Sequence, residues 1–185
     1  MSDLHADAVL VLTAWRPAEP DQRRLQAEYL DFLARTPDGV FRESAIGHVT
    51  ASALIMDESR SRVLLTLHPK VGRWLQMGGH MESDDTSLRA AAWREAWEES
   101  GIAGMRMSAE PVRLDRHPVP CGTARMSEHL DVQYAITVPD DSLEVISEES
   151  LDLRWFPMDR LPDGVDASVR ALVASARDVA LVTYP

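Results

Sequence analysis

The stretch Gly78-Gly79-His80-Met81-Glu82-Ser83-Asp84-Asp85-Thr86, continuing through Arg94-Glu95-Ala96-Trp97-Glu98-Glu99-Ser100-Gly101-Ile102, decides the reading of this chain. It begins as a glycine loop, passes into a polar helix start and ends with three glutamates in five positions. On a helix, Glu95 and Glu99 are four residues apart and Glu98 is three from Glu95, so all three project to one side. Like charges at that spacing repel by a few tenths of a kcal/mol per pair, roughly. Carboxylates near a helix C-terminus also oppose its dipole. A segment unfavourable on both counts reads as a functional site, and a hard divalent cation with oxygen ligands is the natural compensation.

Outward from this segment, the chain divides by pattern. Upstream, Val49, Ala51, Ala53 and Ile55 alternate with Thr50, Ser52 and Leu54, and Val63 to Leu67 follow after a turn at Asp57-Glu58-Ser59-Arg60. That predicts a hairpin over 48–68. The Ala-rich stretch 86–100 predicts a helix, with Asp84, Asp85 and Thr86 as candidate N-caps and Gly101 at its C-terminal end. Strands are expected at 111–117, 129–137 and 152–157, and a last helix over about 165–179. The first forty residues differ: Leu25, Tyr29, Leu30, Phe32 and Leu33 share one helical face from Asp21 onward, and Thr36-Pro37-Asp38-Gly39 ends that helix. Strands and helices interleave without a strict βαβ rhythm, which favours a mixed sheet with helices on both faces.

Composition limits function. The chain has 185 residues, a formal net charge of −11 and one cysteine, Cys121. One thiol excludes an intramolecular disulfide framework and a Cys-rich zinc site. The acidic balance disfavours nucleic acid as a partner. The apolar stretch from Ala6 to Trp15 is too short and too poorly flanked for a signal peptide or a membrane span, so a cytoplasmic protein with no membrane partner is expected.

The segment from Gly79 to Ile102 resembles the Nudix box: Gly, five residues, Glu, seven residues, then Arg-Glu-apolar-any-Glu-Glu-any-Gly-apolar. Arg94 to Ile102 match every defined position, with Ala96 as the apolar member, and His80-Met81-Glu82 sits where such loops carry similar residues. Two departures stand out. Asp85 replaces the usual Glu, and eight residues rather than seven separate it from Arg94. In the family that acidic residue commonly supports the box arginine; here Asp85, Glu82 and Asp84 all remain open for the role. The hairpin at 48–68, Trp74-Leu75, and Asp152 to Pro157 before Leu161-Pro162 extend the likeness.

The resemblance implies an α/β (α+β) fold, a Nudix-like α/β/α sandwich with a mixed sheet. The expected division is an N-terminal helical arm (1–44), a Nudix hydrolase domain (45–162) and a C-terminal helix packed on it (163–185). It implies metal ligation by Glu95, Glu98, Glu99 and the Gly79 carbonyl, with Mg²⁺ as the ion and Mn²⁺ as a substitute. Glu98 would be a third ligand or a water activator, and Arg94 would orient the glutamates. The reaction implied is hydrolysis of a nucleoside diphosphate linked to another moiety. The alternatives are a non-catalytic nucleotide-binding sensor, disfavoured by the intact glutamates, and an isoprenoid diphosphate isomerase, for which Cys121 lacks the context.

Outside the box, Glu148 and Glu149 lie in the loop where some relatives keep a distal base, with solvated charge as the plainer reading; Glu149 is the candidate. His129, Asp131 and Gln133 alternate along a strand and would line a substrate cleft or an exposed sheet face. Lys70 and Arg73 flank the loop before the box as phosphate-binding candidates, with surface solvation as the plainer reading. Trp93 and Trp97, on the side of the helix away from the glutamates, would pack on the arm or a second subunit, so a homodimer is the expected assembly. The other histidines show no ligand spacing.

Overall fold

Ten residues in succession, His48–Asp57, form a strand (β1) that is buried at every position. A strand so placed must be covered on both faces, and its mix of small and branched residues (Val49, Ala51, Ala53, Ile55) suits close helix packing. This computed structural model describes residues 3–44, 46–121, 125–147 and 150–183. One edge of β1 pairs in parallel with β7 (Arg125–Val138), from His48 opposite His129 to Asp57 opposite Val138. The other edge has two antiparallel partners in turn: β4 (Met77–His80) beside Thr50 to Ala53, and β2 (Arg62–His68) beside Ile55 and Met56. β3 (Arg73–Leu75) and β8 (Leu153–Pro157) join β2; β5 (Arg106–Ser108) and β6 (Arg113–Cys121) join β7; β9 (Leu181–Thr183) closes on β5. The result is a nine-stranded mixed sheet.

Helices cover both faces. Ala51, Ala53, Val132 and Tyr134 meet α3 (Leu88–Ser100), α1 (Asp3–Ala14) and α2 (Pro20–Arg35) in one core. Leu54, Met56, Val63 and Ala135 meet α4 (Ala167–Ala176) in the other. This is the mixed-sheet α/β/α sandwich expected from the sequence.

The N-terminal region is more structured than its sequence suggested. Residues 6–14 of the stretch read above only as short and apolar belong to α1, where Leu4, Ala8 and Leu12 are buried at a spacing of four. α1 also holds the box helix directly: Asp7 accepts the Leu88 N–H at 2.8 Å. From α2, the buried Tyr29 hydroxyl donates to the Asp115 carbonyl at 2.6 Å and the Asp131 carbonyl at 3.3 Å. Gln22 makes a two-way contact with the backbone of Leu114, accepting its N–H at 2.7 Å and donating to its carbonyl at 3.2 Å. Among the described residues no helix is long and apolar enough to cross a membrane.

Candidate active site

The box helix starts one residue later than the candidate caps. Ser87, not Asp84, Asp85 or Thr86, is the N-cap of α3, its Oγ accepting the Ala90 N–H at 3.0 Å. Its far end turns on Gly101, whose φ of +64° suits glycine and whose N–H reaches the Trp97 carbonyl at 2.8 Å. Leu88, Ala91, Ala92 and Ala96 are buried, which leaves Arg94, Glu95, Glu98 and Glu99 on the flank beside the glycine strand β4.

Backbone and carboxylate meet closely there. The Gly78 N–H donates to Glu99 Oε1 at 2.8 Å. A Cβ at Gly79 would lie 2.5 Å from Glu95 Oε1, so any side chain at this position would displace the Glu95 carboxylate. Glu99 is 9% exposed and Glu95 part-buried, whereas the Glu98 side chain is 48% exposed. Two carboxylates, Glu95 and Glu99, thus meet one strand of backbone, and the more exposed Glu98 stands beside them on the same helix.

Arg94 ties the group together. Its Nη1 donates to Glu95 and to Glu98, each at 3.0 Å, and its Nη2 also reaches the His80 carbonyl at 3.0 Å. The other side of the guanidinium forks onto Asp85, Nε to Oδ1 at 3.0 Å and Nη2 to Oδ2 at 2.9 Å. The hydrogen bonds that Arg94 donates to Asp85, together with the nearby Glu95 charge, hold Arg94 even more firmly charged than usual. Asp85 therefore takes the supporting position among the three candidates. Glu82 comes no nearer than 3.8 Å, and Asp84 accepts from Ser83 instead. The shorter Asp also accepts the Glu82 N–H at 2.8 Å, which fastens the loop that carries the extra residue.

Opposite α3, the sheet carries a second polar group. His129, Asp131 and Gln133 share a face of β7 as expected, but that face is not an open surface: Asp131 and Gln133 are buried. Asp131 accepts from Ser52 at 2.6 Å, Thr50 at 3.0 Å, Gln133 at 3.1 Å and Gln76 at 3.3 Å. Burial pushes its carboxyl up, against the pull of the Ser52 and Gln133 bonds.

His48 and His80 join His129, so the expectation that the remaining histidines share no site is corrected. The ring centroids are 4.9 Å apart for His48–His80, 4.7 Å for His48–His129 and 5.2 Å for His80–His129. Burial, then the neighbouring imidazoles, pull His48 to about 4 and His129 to about 3. Burial, with the charges of Arg42 and Lys70, also lowers His80. Four buried ring nitrogens of these residues have no hydrogen-bond partner: both on His48 and Nε2 on His80 and His129. Each such group costs about 1–3 kcal/mol. Linear spacing could not show this cluster, because it is assembled by the β1–β7 and β1–β4 pairings.

The other candidates scatter. Lys70 and Arg73 are exposed, Lys70 donating its N–H to His68 Nδ1 at 3.2 Å. Trp93 packs part-buried on the first core, while Trp97 is 55% exposed. Glu148 and Glu149 lie outside the described residues, as does the side chain of Cys121.

The family model described as the NUDIX domain matches residues 47–175, more than half of the chain. This chain belongs to the Nudix family. Among curated proteins it is similar to phosphatase NudJ of Escherichia coli K12, with 39% identity over 69 residues, 37% of this chain and 41% of the relative. The chain thus spans less than half the length of that relative. Among solved structures, the Escherichia coli dihydroneopterin triphosphate pyrophosphohydrolase aligns at TM-score 0.56 and 16% identity, over 72% of this chain and 98% of the other. The NUDIX domain of Shewanella oneidensis NrtR, solved with ADP ribose, aligns at TM-score 0.52 and 21% identity, over 80% and 96%. At these identities the two structures establish likeness of fold. In Nudix terms, the box runs from β4 through α3, and Asp85 and Arg94 form its internal clamp.

Proposed function

We propose that the protein hydrolyses the diphosphate bond of a nucleoside diphosphate linked to another moiety, with Mg²⁺ as cofactor and Mn²⁺ as a substitute. The observation that carries this reading is the approach of Glu95 and Glu99 to the Gly78–Gly79 backbone, with Glu98 joined to Glu95 through Arg94. The donor set fits the ion: three carboxylates and the Gly79 carbonyl are hard oxygens, and Glu95 lies so close to Gly79 that a side chain there would displace its carboxylate. When bound, such a cation lowers the pKa of a water molecule and neutralises charge on phosphate oxygens.

The chain's own residues divide the remaining work. Glu99, buried and anchored by the Gly78 N–H, supplies a fixed ligand. Glu95 is pinned beside Gly79, and Arg94 sets its orientation. Glu98 is the most exposed of the three and is the group we assign to accept a proton from the attacking water, with Glu149 as a second candidate base. Lys70 and Arg73, both exposed, are the proposed contacts for the rest of the substrate; His129, and the buried Asp131 and Gln133, lie on the opposite face of the sheet and are not among them. The same reading takes 45–162 as the catalytic unit, places the protein in the cytoplasm, and pairs two chains as a homodimer through exposed apolar groups such as Trp97.

A panel of nucleoside diphosphate derivatives, assayed with and without Mg²⁺ and scored for nucleoside monophosphate, phosphate and sugar phosphate, tests the proposal. Mg²⁺-dependent release of a monophosphate is expected, and it should be lost in Glu98→Gln. Tight binding of one compound with no turnover of any would overturn hydrolysis in favour of a nucleotide sensor. Sedimentation at micromolar concentration tests the dimer, which a mass near 20.6 kDa would exclude.

A further inference from the structure

The three-histidine cluster is separate from the carboxylate centre in both position and chemistry. Along β4, side-chain direction alternates. Gly79 faces Glu95 of α3, whereas Gly78 abuts Ser52 and, with His80, faces the opposite side of the sheet. His48, Thr50 and Ser52 line that same side of β1, and His129 and Asp131 that same side of β7. The carboxylates and the imidazoles therefore stand on opposite faces of one strand.

We propose that His48, His80 and His129 bind a transition-metal dication of the Zn²⁺ class at a site distinct from the glutamate centre. Each residue offers one ring nitrogen, and these atoms all lie within 4.8 Å of one another. Tetrahedral Zn²⁺ sites with imidazole ligands need donor separations of roughly 3.3 Å, given bond lengths of about 2.0–2.1 Å, which modest ring rotations would reach. The second, independent observation is the state of the nitrogens. His48 is fully buried, and neither its Nδ1 nor its Nε2 has a hydrogen-bond partner; Nε2 of His80 and of His129 are likewise buried and unpartnered. An imidazole serving only the core would give at least one nitrogen to a carbonyl or hydroxyl, as His5 does with the Leu33 carbonyl at 2.9 Å.

The donor type selects the ion. Imidazole suits Zn²⁺, Cu²⁺ or Ni²⁺, whereas Mg²⁺ prefers oxygen and gives up its water reluctantly. A neighbouring imidazole, His117, packs on His129 at 5.5 Å, but its Nδ1 is engaged by Asp115 at 2.8 Å. It stands beside the trio, so three protein ligands leave a fourth position for an external donor, the arrangement of open rather than closed zinc sites.

The test uses the full chain, stripped with a chelator and then titrated with Co²⁺ and Zn²⁺ in excess Mg²⁺. We expect one equivalent of Co²⁺ per chain, the visible ligand-field spectrum of imidazole-bound cobalt, and displacement by Zn²⁺ but not by Mg²⁺. Glu99→Gln should keep that spectrum; His80→Asn and His129→Asn should each weaken Zn²⁺ binding by more than the 10–100-fold typical of losing an outer-sphere partner. His80 is only part-buried, so His80→Asn keeps the test decisive if a His48 variant fails to fold. Far-ultraviolet circular dichroism confirms the fold of each variant. Zn²⁺ affinity unchanged in both histidine variants, displacement by Mg²⁺, or loss of the spectrum in Glu99→Gln would each overturn the site. Because hydrolysis is not the readout, failure here is distinguishable from failure of the proposed activity.

Discussion

Asp85→Asn is the most informative single substitution at the box. In the native protein, Asp85 receives two hydrogen bonds from the Arg94 guanidinium and one from the Glu82 N–H. Its side chain is 6% exposed and that of Arg94 is 20% exposed, so solvent replaces little of what is removed. Asparagine keeps the volume and one acceptor but loses the charge and one arm of the fork. A hydrogen bond to a charged group contributes about 1.5–3 kcal/mol, which sets the expected loss of stability near 2 kcal/mol. For a chain of this size each kcal/mol moves Tm by roughly 2–4 °C, so a fall of about 4–8 °C is expected. The second effect is larger in kind. Arg94 Nη1 positions both Glu95 and Glu98, and loss of an orienting partner typically costs 10–100-fold in metal affinity. Thermal unfolding and Mg²⁺ titration of hydrolysis measure the two effects separately. If Asp85→Asn matched the native protein in both Tm and half-saturating Mg²⁺, Asp85 would not be the clamp.

Three further outcomes are expected. Glu99→Gln should abolish Mg²⁺-dependent hydrolysis while the fold persists, because a Gln carbonyl can still accept the Gly78 N–H; wild-type turnover by the purified variant would refute the ligand assignment. Asp57 is depressed to about 2, since hydrogen bonds from Arg62 and Ser61 outweigh its burial. Its stabilisation is thus present above the unfolded value near 4 and lost as pH falls toward 2, so acid unfolding curves of native protein and Asp57→Asn should converge in that window. Tyr29→Phe removes a buried donor from the Asp115 and Asp131 carbonyls and should cost about 1–2 kcal/mol in denaturant unfolding; no shift in the midpoint would show that α2 is not anchored there.

The box was legible because its signal is local: carboxylates three and four apart on one helix, closed by a glycine, need no knowledge of the sheet. The β1–β2 hairpin, β8 and α4 were legible for the same reason. Asp85 was not, since one inserted residue blurs the register, and only the loop's backbone bond to Asp85 shows how the insertion is absorbed. The short strands β3, β4, β5 and β9, of three or four residues each, carry too little pattern to read. α1 was overlooked because Ala8 to Leu12 are apolar in succession, which gives weak contrast between its faces. The histidine cluster lies beyond sequence reasoning altogether, because 81 residues separate His48 from His129 and a parallel pairing brings them side by side.

Gln22 has a consequence for how this protein meets other chains. Among the described residues β6 pairs with β7 alone, so its outer rim would offer backbone donors and acceptors to a passing strand. By taking both the N–H and the carbonyl of Leu114, one amide side chain imitates the next strand of the sheet and stops the ladder there. The first helices, which lie outside the region matched by the family, are in this sense a selvedge: they finish a border that would otherwise recruit another molecule. A chain begun at the family boundary would carry the whole box, yet bare that rim.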